Sequence, residues 1–287
     1  MRHCAFLTLA EQADFVIDDD RAHAPLAQRG WQVETVPWNR PGVAWNRYDL
    51  VAIRSTWDYQ HQADAFLSTL AAIEASGARL ENPLSIVRWN MQKTYLRDLA
   101  AKGVPVVPTI WRDRLRAGEL GALFEAAQSE EAVIKPVMSG NAQGAWRLDR
   151  ASVKAQAAEI EAYYAERALM MQPFEPAIVS EGEFSLLYFN GEFSHGILKV
   201  PKPGDFRVQE EHGSEIRSIV PEPALLAAGN AAIDAVGRKL LYARADLVRH
   251  GDEFRVMELE LVEPALYLRM DPGAPARFAD AVVSLFD

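Results

Sequence analysis

The stretch Val256 to Leu268, VMELELVEPALYL, carries the densest chemistry in the chain. Read as a strand, it places Glu258 and Glu260 on one face and Met257, Leu259 and Leu261 on the other. Two like charges beside an apolar core need solvent, a shared proton or a cation between them. The preceding YARADLVRHGDEF completes a candidate hairpin, and a turn at Gly251, Asp252 and Glu253 sets Asp246 opposite Glu258, on the face of Glu260. A solvent-facing sheet edge is the alternative, but the apolar run beyond the acids suits an interior strand. Oxygen-only ligation by Asp246, Glu258 and Glu260, with no His or Cys nearby, selects Mg2+ over zinc.

Magnesium held by carboxylates commonly accompanies phosphates, which need cations and backbone donors of their own. Lys135 ends the apolar strand AVIKP, so its stem is expected to be buried and its ammonium directed at a cleft. The loop after it, MSGNAQG, has Ser139, Gly140 and Gly144, small enough to let backbone N–H groups approach an anion, although an ordinary connection has the same look. Lys93, on a helix read from Trp89 to Gly103, is either a solvated lysine or a second phosphate ligand. Lys199, Lys202 and Arg207 form a basic group in an acidic chain, and Arg207 suits bidentate contact with phosphate or carboxylate. Neither a P-loop nor a G-x-G-x-x-G fingerprint is present. The segment RSTWDY, Arg54 to Tyr59, packs a cation, two hydroxyls, an indole, a carboxylate and a phenol together; it reads as a ligand loop or as a surface loop with anchoring aromatics.

These residues need a scaffold of three parts. Up to residue 88, the strands HCAFLTLA, WQVETVPW and YDLVAIRS alternate with helices ending at Gly, the order of a small doubly wound parallel sheet whose ligands lie beyond the carboxyl ends of its strands. Residues 89–174 read as a small α+β lobe: the helix from Trp89, the strand VPVVPTI, the helix LGALFEAAQ, the strand with Lys135, the helix ASVKAQAAEIEAYYAE and the strand ALMMQPF. Residues 175–287 read as a larger lobe, with a hairpin about Asn190-Gly191, a long Pro- and Gly-rich loop, the helix EPALLAAGNAAIDAVGRKL, the acidic hairpin and a last helix, PARFADAVVSLF.

Composition narrows the classes. The net charge of -10 argues against a nonspecific nucleic-acid surface. No apolar run approaches the roughly 20 residues of a membrane span, so the cytoplasm is the default expectation. The single cysteine, Cys4, cannot form an intramolecular disulfide and is expected in the core of the first strand. No Ser-His-Asp or Cys-His pattern suggests a covalent protein nucleophile.

In this order of motifs the chain resembles the ATP-grasp ligases over essentially its whole length. The resemblance implies an α/β N-terminal domain and two lobes clamping ATP with Mg2+, as two ions. It puts Lys93 and Lys135 at the nucleotide phosphates with the loop of Ser139, Gly140 and Gly144, and the adenine at the edge formed by Gln172, Pro173 and Phe174. The ribose falls to Glu183, with Glu175 as competitor. Arg207, in GDFR, and Lys199 are implied at the transferred phosphate and the acyl group. The family's metal motif is an Asp, then Glu-x-Asn; Asp246 and Glu258 fit, Glu260 stands at the Asn position, and Glu263 is a possible substitute.

Within the family, RSTWDY, GDFRVQEEHG and MELELVEPALYL look most like the ring-closing ligase of cycloserine biosynthesis, acting on an O-ureidoserine-like compound. That likeness implies Arg54 on a substrate carboxylate and Asp58 on an amine, with Ser55, Thr56 and Lys202 beside the substrate and His212 near the nucleophile. The implied reaction is phosphorylation of a small, amino-acid-like carboxylate by ATP and displacement of phosphate by a nitrogen of the same molecule. A two-substrate ligase of glutathione-synthetase or glutamate-adding type, and a nucleotide sensor without ligase activity, are the alternatives. No nucleic-acid or membrane partner is expected, and a homo-oligomer is allowed.

Overall fold

The computed structural model describes residues 1–11 and 15–287. Its strands form three sheets. The first, in order β2-β1-β3-β4, is parallel: β1 (Arg2–Thr8), β2 (Trp31–Pro37), β3 (Leu50–Ser55) and β4 (Arg79–Glu81). Every residue of β3 is buried, as a strand covered on both faces requires. One face packs under α2 (Ala63–Ala75) and α3 (Leu84–Asn90). The other meets α1 (His23–Gln28), the C-terminal helix and the strands carrying Leu187 and Ile197, so the first and third sheets share one core. Cys4 is buried in that core. The short β4 was not evident in the sequence, because only three residues of it pair.

The second sheet, β5-β8-β6-β7, is antiparallel: β5 (Ile110–Arg112), β6 (Ala132–Pro136), β7 (Trp146–Leu148) and β8 (Leu169–Pro173). It packs on α5 (Leu120–Ala126) and α6 (Arg150–Tyr164), the latter opened by an Asp149–Ser152 capping box. Two expectations change here. The helix read across Trp89–Gly103 is broken into α3 and α4 (Tyr95–Ala101), and Lys93 lies in the break, where its N–H donates to the Val137 carbonyl at 2.8 Å. The run VPVVPTI supplies only β5 and an isolated bridge at Val106, since Pro105 and Pro108 lack the N–H a ladder needs.

The third sheet, β11-β10-β9-β12-β13, is antiparallel: β9 (Glu183–Phe189), β10 (Glu192–Val200), β11 (Glu215–Ile219), β12 (Tyr242–His250) and β13 (Glu253–Glu260). The short α7 (Ala177–Ser180) precedes it, α8 (Pro223–Asp234) covers one face, and α9 (Ala274–Ser284) closes the chain against the other. Asn190 and Gly191 both take positive φ, the turn that two-residue hairpins favour.

The acidic hairpin reaches the expected pairing by another route. Its turn is two residues long, with His250 opposite Glu253, and a bulge restores Asp246 opposite Glu258. Val256 and Leu259 are both buried in the core, whereas Met257 lines the cleft with Glu258, so Met257 is not on the core face. Nor is β13 an interior strand. It is an edge whose backbone is satisfied from outside: Pro105 and Val107 bracket Val256, Asn90 bonds the Leu259 carbonyl and the Leu261 N–H, and the Tyr95 hydroxyl accepts from the Leu259 N–H. Among the described residues, no helix is long and apolar enough to cross a membrane.

Tyr242 ties the first and third sheets. Its hydroxyl accepts from the Asn82 N–H at 3.1 Å and lies 2.6 Å from the Ile53 carbonyl it donates to, while the Asn82 amide donates to the Tyr242 and Leu261 carbonyls at 2.9 and 2.7 Å. Tyr242→Phe strands the Asn82 N–H and the Ile53 carbonyl. It should lower the unfolding free energy by about 1–3 kcal/mol in urea titration, with an unchanged midpoint counting against the tie.

Candidate active site

A cleft runs between the second and third sheets, with the carboxyl end of β3 at one side. Lys135 is delivered by β6 and Lys93 by the helix break. Both reach Glu258 on β13: the Lys135 Nζ lies 2.9 Å from Oε1, and the Lys93 Nζ lies 3.6 Å from Oε2 while donating to the Ser139 carbonyl at 3.2 Å. Burial alone would raise the Glu258 carboxyl, but the two ammonium groups outweigh it and hold the pKa near 2.

Asp246 lies one strand away. Burial again opposes its charge, and Arg244 and Lys199 overcome it, keeping the carboxyl below its ordinary range. The Arg244 Nε and Nη2 bond its two oxygens at 3.0 and 3.1 Å, Ser185 donates to Oδ1, and the Lys199 Nζ stands 3.4 Å away. Lys199 also donates to Glu183 at 3.0 Å, and Arg244 pairs with Glu260. Burial raises Glu183 and Glu260 above the usual carboxylate range in spite of these partners. Tyr267, in the left-handed region at φ 46°, sets its ring 5.8, 5.9 and 5.1 Å from the cationic ends of Lys199, Arg244 and Arg269.

The three expected metal carboxylates thus share one face of one cleft, but they do not form a ready-made ligand set. Among the described residues, no group of three or more His, Cys, Asp and Glu side chains is arranged to hold a metal. The reason is Arg244, which the sequence reading overlooked: two residues before Asp246 and therefore on its face, it lies between Asp246 and Glu260 and offsets the extra charge that Glu brings to that position. The donor chemistry still suits a hard cation such as Mg2+, being all oxygen with Asp246 and Glu258 held ionised.

Other expected residues line the cleft: Ser139, Gly140, Gln172, Pro173, Phe174, Glu175, Glu183, Lys199 and Arg207. Gln172 donates to Thr109 at 2.9 Å, and Glu175 is engaged by His250 and Arg255. Arg207 is held by Asp205 at 2.8 Å and is part-exposed. Gly144 is set back, with φ +70° and a carbonyl accepting from the Tyr164 hydroxyl at 2.5 Å; a Cβ there would meet the Tyr163 hydroxyl at 2.3 Å.

The assignments in RSTWDY are corrected. Arg54 is 1% exposed, and its guanidinium bonds Asp19 at 3.1 Å, the Ile53 carbonyl at 3.1 Å and the Pro264 carbonyl at 2.7 Å over the Tyr242 ring. It is a buried strut. Ser55 is buried against the Thr8 hydroxyl, Thr56 is fully buried, and Asp58 accepts from the Trp38 indole at 2.7 Å. The cleft is lined instead by Trp57, Tyr59 and Gln60. Lys202 is exposed and does not line it, and His212 lies beside the Asn141 carbonyl at 3.3 Å, bridging two loops that border the cleft without lining it itself. Glu263 lines the cleft with no ion pair among the described residues, and burial, then the charge of Glu260, push its carboxyl up to about 8.

Comparison with known proteins bears on the fold and the activity. A family model described as D-cycloserine synthetase DcsG, N-terminal domain, matches residues 4–82. The cycloserine biosynthesis protein DcsG of Streptomyces lavendulae is 29% identical over 270 residues, 88% of each chain. The crystal structure of D-cycloserine synthetase DcsG superposes with a TM-score of 0.85 at 28% identity, covering 99% of this chain and 100% of that one. A RimK domain ATP-grasp protein from Sphaerobacter thermophilus DSM 20745 follows at TM-score 0.71 and 17% identity, over 98% and 99% of the two chains.

The fold is ATP-grasp. The chain is an ATP-dependent ligase, which sets aside a nucleotide sensor without ligase activity. The second and third sheets enclose the cleft.

Two outcomes test these placements. Arg54→Met should destabilise the fold by about 3–5 kcal/mol, the cost of leaving Asp19 and two carbonyls without their partner, while substrate KM stays within about twofold; a KM effect without loss of stability would return Arg54 to the binding site. Glu263 has a folded pKa above its unfolded value, so the folded state binds more protons between pH 4.5 and about 8 and the ligand-free protein loses stability as pH rises through that window. Glu263→Gln should flatten this slope in denaturant titrations at several pH values; an unaltered slope would place the titration elsewhere.

Proposed function

We propose that the enzyme activates the carboxylate of an amino-acid-like substrate as an acyl phosphate and closes a ring when a nitrogen of the same molecule displaces phosphate. The observation that carries the reading is the contact across the cleft. Lys93 and Lys135 of the smaller lobe meet Glu258 of the larger one at 3.6 and 2.9 Å. Groups suited to phosphate and to a hard cation therefore already share one place. The likeness to DcsG over nearly the whole chain favours ring closure over joining two molecules.

The adenine is assigned to the apolar pocket of Val107, Val133, Ile178 and Met257, beside the Gln172–Phe174 edge. On nucleotide binding, Lys93 and Lys135 would exchange Glu258 for phosphate oxygens, freeing Glu258 for Mg2+ beside Asp246 and Glu260, which are paired with Arg244. Held there, Mg2+ would supply positive charge against the phosphates. Arg207 and Lys199 offset the negative charge that develops during transfer and on the acyl phosphate. Glu183 and Glu175 are the two candidates for the ribose hydroxyls. Closing the lobes keeps water from the activated acyl group.

The test is ADP release with O-ureidoserine as substrate, with and without an added amine. Ring closure predicts turnover that needs no acceptor; a strict requirement for the amine would point to two-substrate ligation. Glu258→Gln should lower turnover by about a hundredfold or more, since metal charge stabilisation is worth several kcal/mol, and turnover at the wild-type rate would remove Glu258 from the site.

A further inference from the structure

We propose that Glu263, with the rings of Trp57 and Tyr59, recognises the ammonium group of the substrate; the inference rests on the ligase reading above and assigns the amine a different residue from the one expected in the sequence.

Asp58, the residue expected to hold an amine, is bonded to the Trp38 indole at 2.7 Å and does not line the cleft. Carboxylates that do line it are engaged by basic side chains: Glu175 by His250 and Arg255, Glu183 by Lys199, Asp246 by Arg244 and Lys199, and Glu258 by Lys93 and Lys135. Glu260 has Arg244. Glu263 differs: among the described residues it forms no ion pair, and it lines the cleft together with Trp57 and Tyr59.

Its surroundings are built. The Trp57 indole donates to the Glu263 carbonyl at 2.8 Å, which fixes backbone and ring together, and Phe15 meets Trp57 edge-on at 5.2 Å. Tyr59 stacks on Phe66 at 4.6 Å, so its ring is also held. A carboxyl in a cleft that two fixed aromatic rings also line is chemistry for an organic ammonium, whose charge favours release to solvent of the proton that burial leaves on Glu263 and which gains from the ring faces as well. A metal ion would ask for more oxygen donors than an indole and a phenol supply. The position fits the reaction too, because Glu263 leaves the strand three residues beyond Glu260, on the side of the first sheet and away from the adenine pocket.

The experiment titrates the intact protein, without ATP, with pairs of acids that differ only in the 2-amino group: O-ureidoserine against 3-(ureidooxy)propionate, and serine against 3-hydroxypropionate. The wild type should bind the amino member of a pair more tightly. Glu263→Gln should reduce that preference by roughly ten- to a hundredfold while the affinity for the deamino member moves by less than about twofold, and Tyr59→Phe should reduce it less. A thermal melt checks that each variant folds. The inference is overturned if the wild type shows no amine preference, if the variant keeps it, if both members of a pair weaken equally, or if the variant instead raises the Mg2+ needed for ADP binding. A failure of the ligase reading shows separately, as absent ADP release on adding ATP to a protein whose amine preference is intact.

Discussion

Everything in the cleft depends on the pairing of buried charge. Isolated carboxylates and ammonium groups taken out of water cost several kcal/mol each, so they persist only in arrangements that neutralise one another. Here the neutralisation is reciprocal. Lys93 and Lys135 answer Glu258, Arg244 answers Asp246 and Glu260, and Lys199 answers Glu183 and Asp246. The groups that would meet phosphate and those that would meet a cation hold each other in place. A ligand carrying both signs, as a metal–nucleotide complex does, can replace these partners without leaving either set bare.

The scaffold serves this arrangement by fixing where strands end. The first sheet is locked onto the third through Tyr242, Asn82 and Arg54, and α9 seals the shared core. The edge strand β13 would be a liability if open, yet Asn90 and Tyr95 from the second region close it. Those contacts fasten the acidic strand to the helices that flank Lys93, so the two halves of the phosphate side are held by one set of bonds.

Much of this was legible in the sequence, and particular residues show why the rest was not. The facing of Asp246 and Glu258 was expected from a three-residue turn and unbroken alternation, and it holds because a two-residue turn and a bulge offset each other; Lys135 followed from its place at the end of an apolar strand. The bulge was legible but unread: Phe254 and Val256 are apolar at even positions, Leu259 and Leu261 at odd ones, and only an extra residue lets both pairs face the core. The helix break at Lys93 was not legible, because Met, Gln and Lys are good helix formers and the interruption is made by a distant carbonyl, that of Val137. Arg54 looked like a ligand because its fate depends on Asp19 and Pro264, partners 35 and 210 residues away. Arg244 shares a strand face with Asp246 and could have been noticed as the counterion for Glu260.

The bulge in β13 has a consequence for how this hairpin tolerates change in length. Met257 is the supernumerary residue, sharing its face with Glu258, and the ladder on either side is in step without it. A chain lacking Met257 would keep both glutamates turned to the cleft and Asp246 opposite Glu258, trading a kinked strand for a straight one. A residue gained or lost between Glu258 and Glu260 would instead rotate one acid into the hydrocarbon interior. Loss of Met257 therefore preserves the register of the acids while costing the cleft one apolar wall residue, whereas a change of length immediately beside it misdirects an acid.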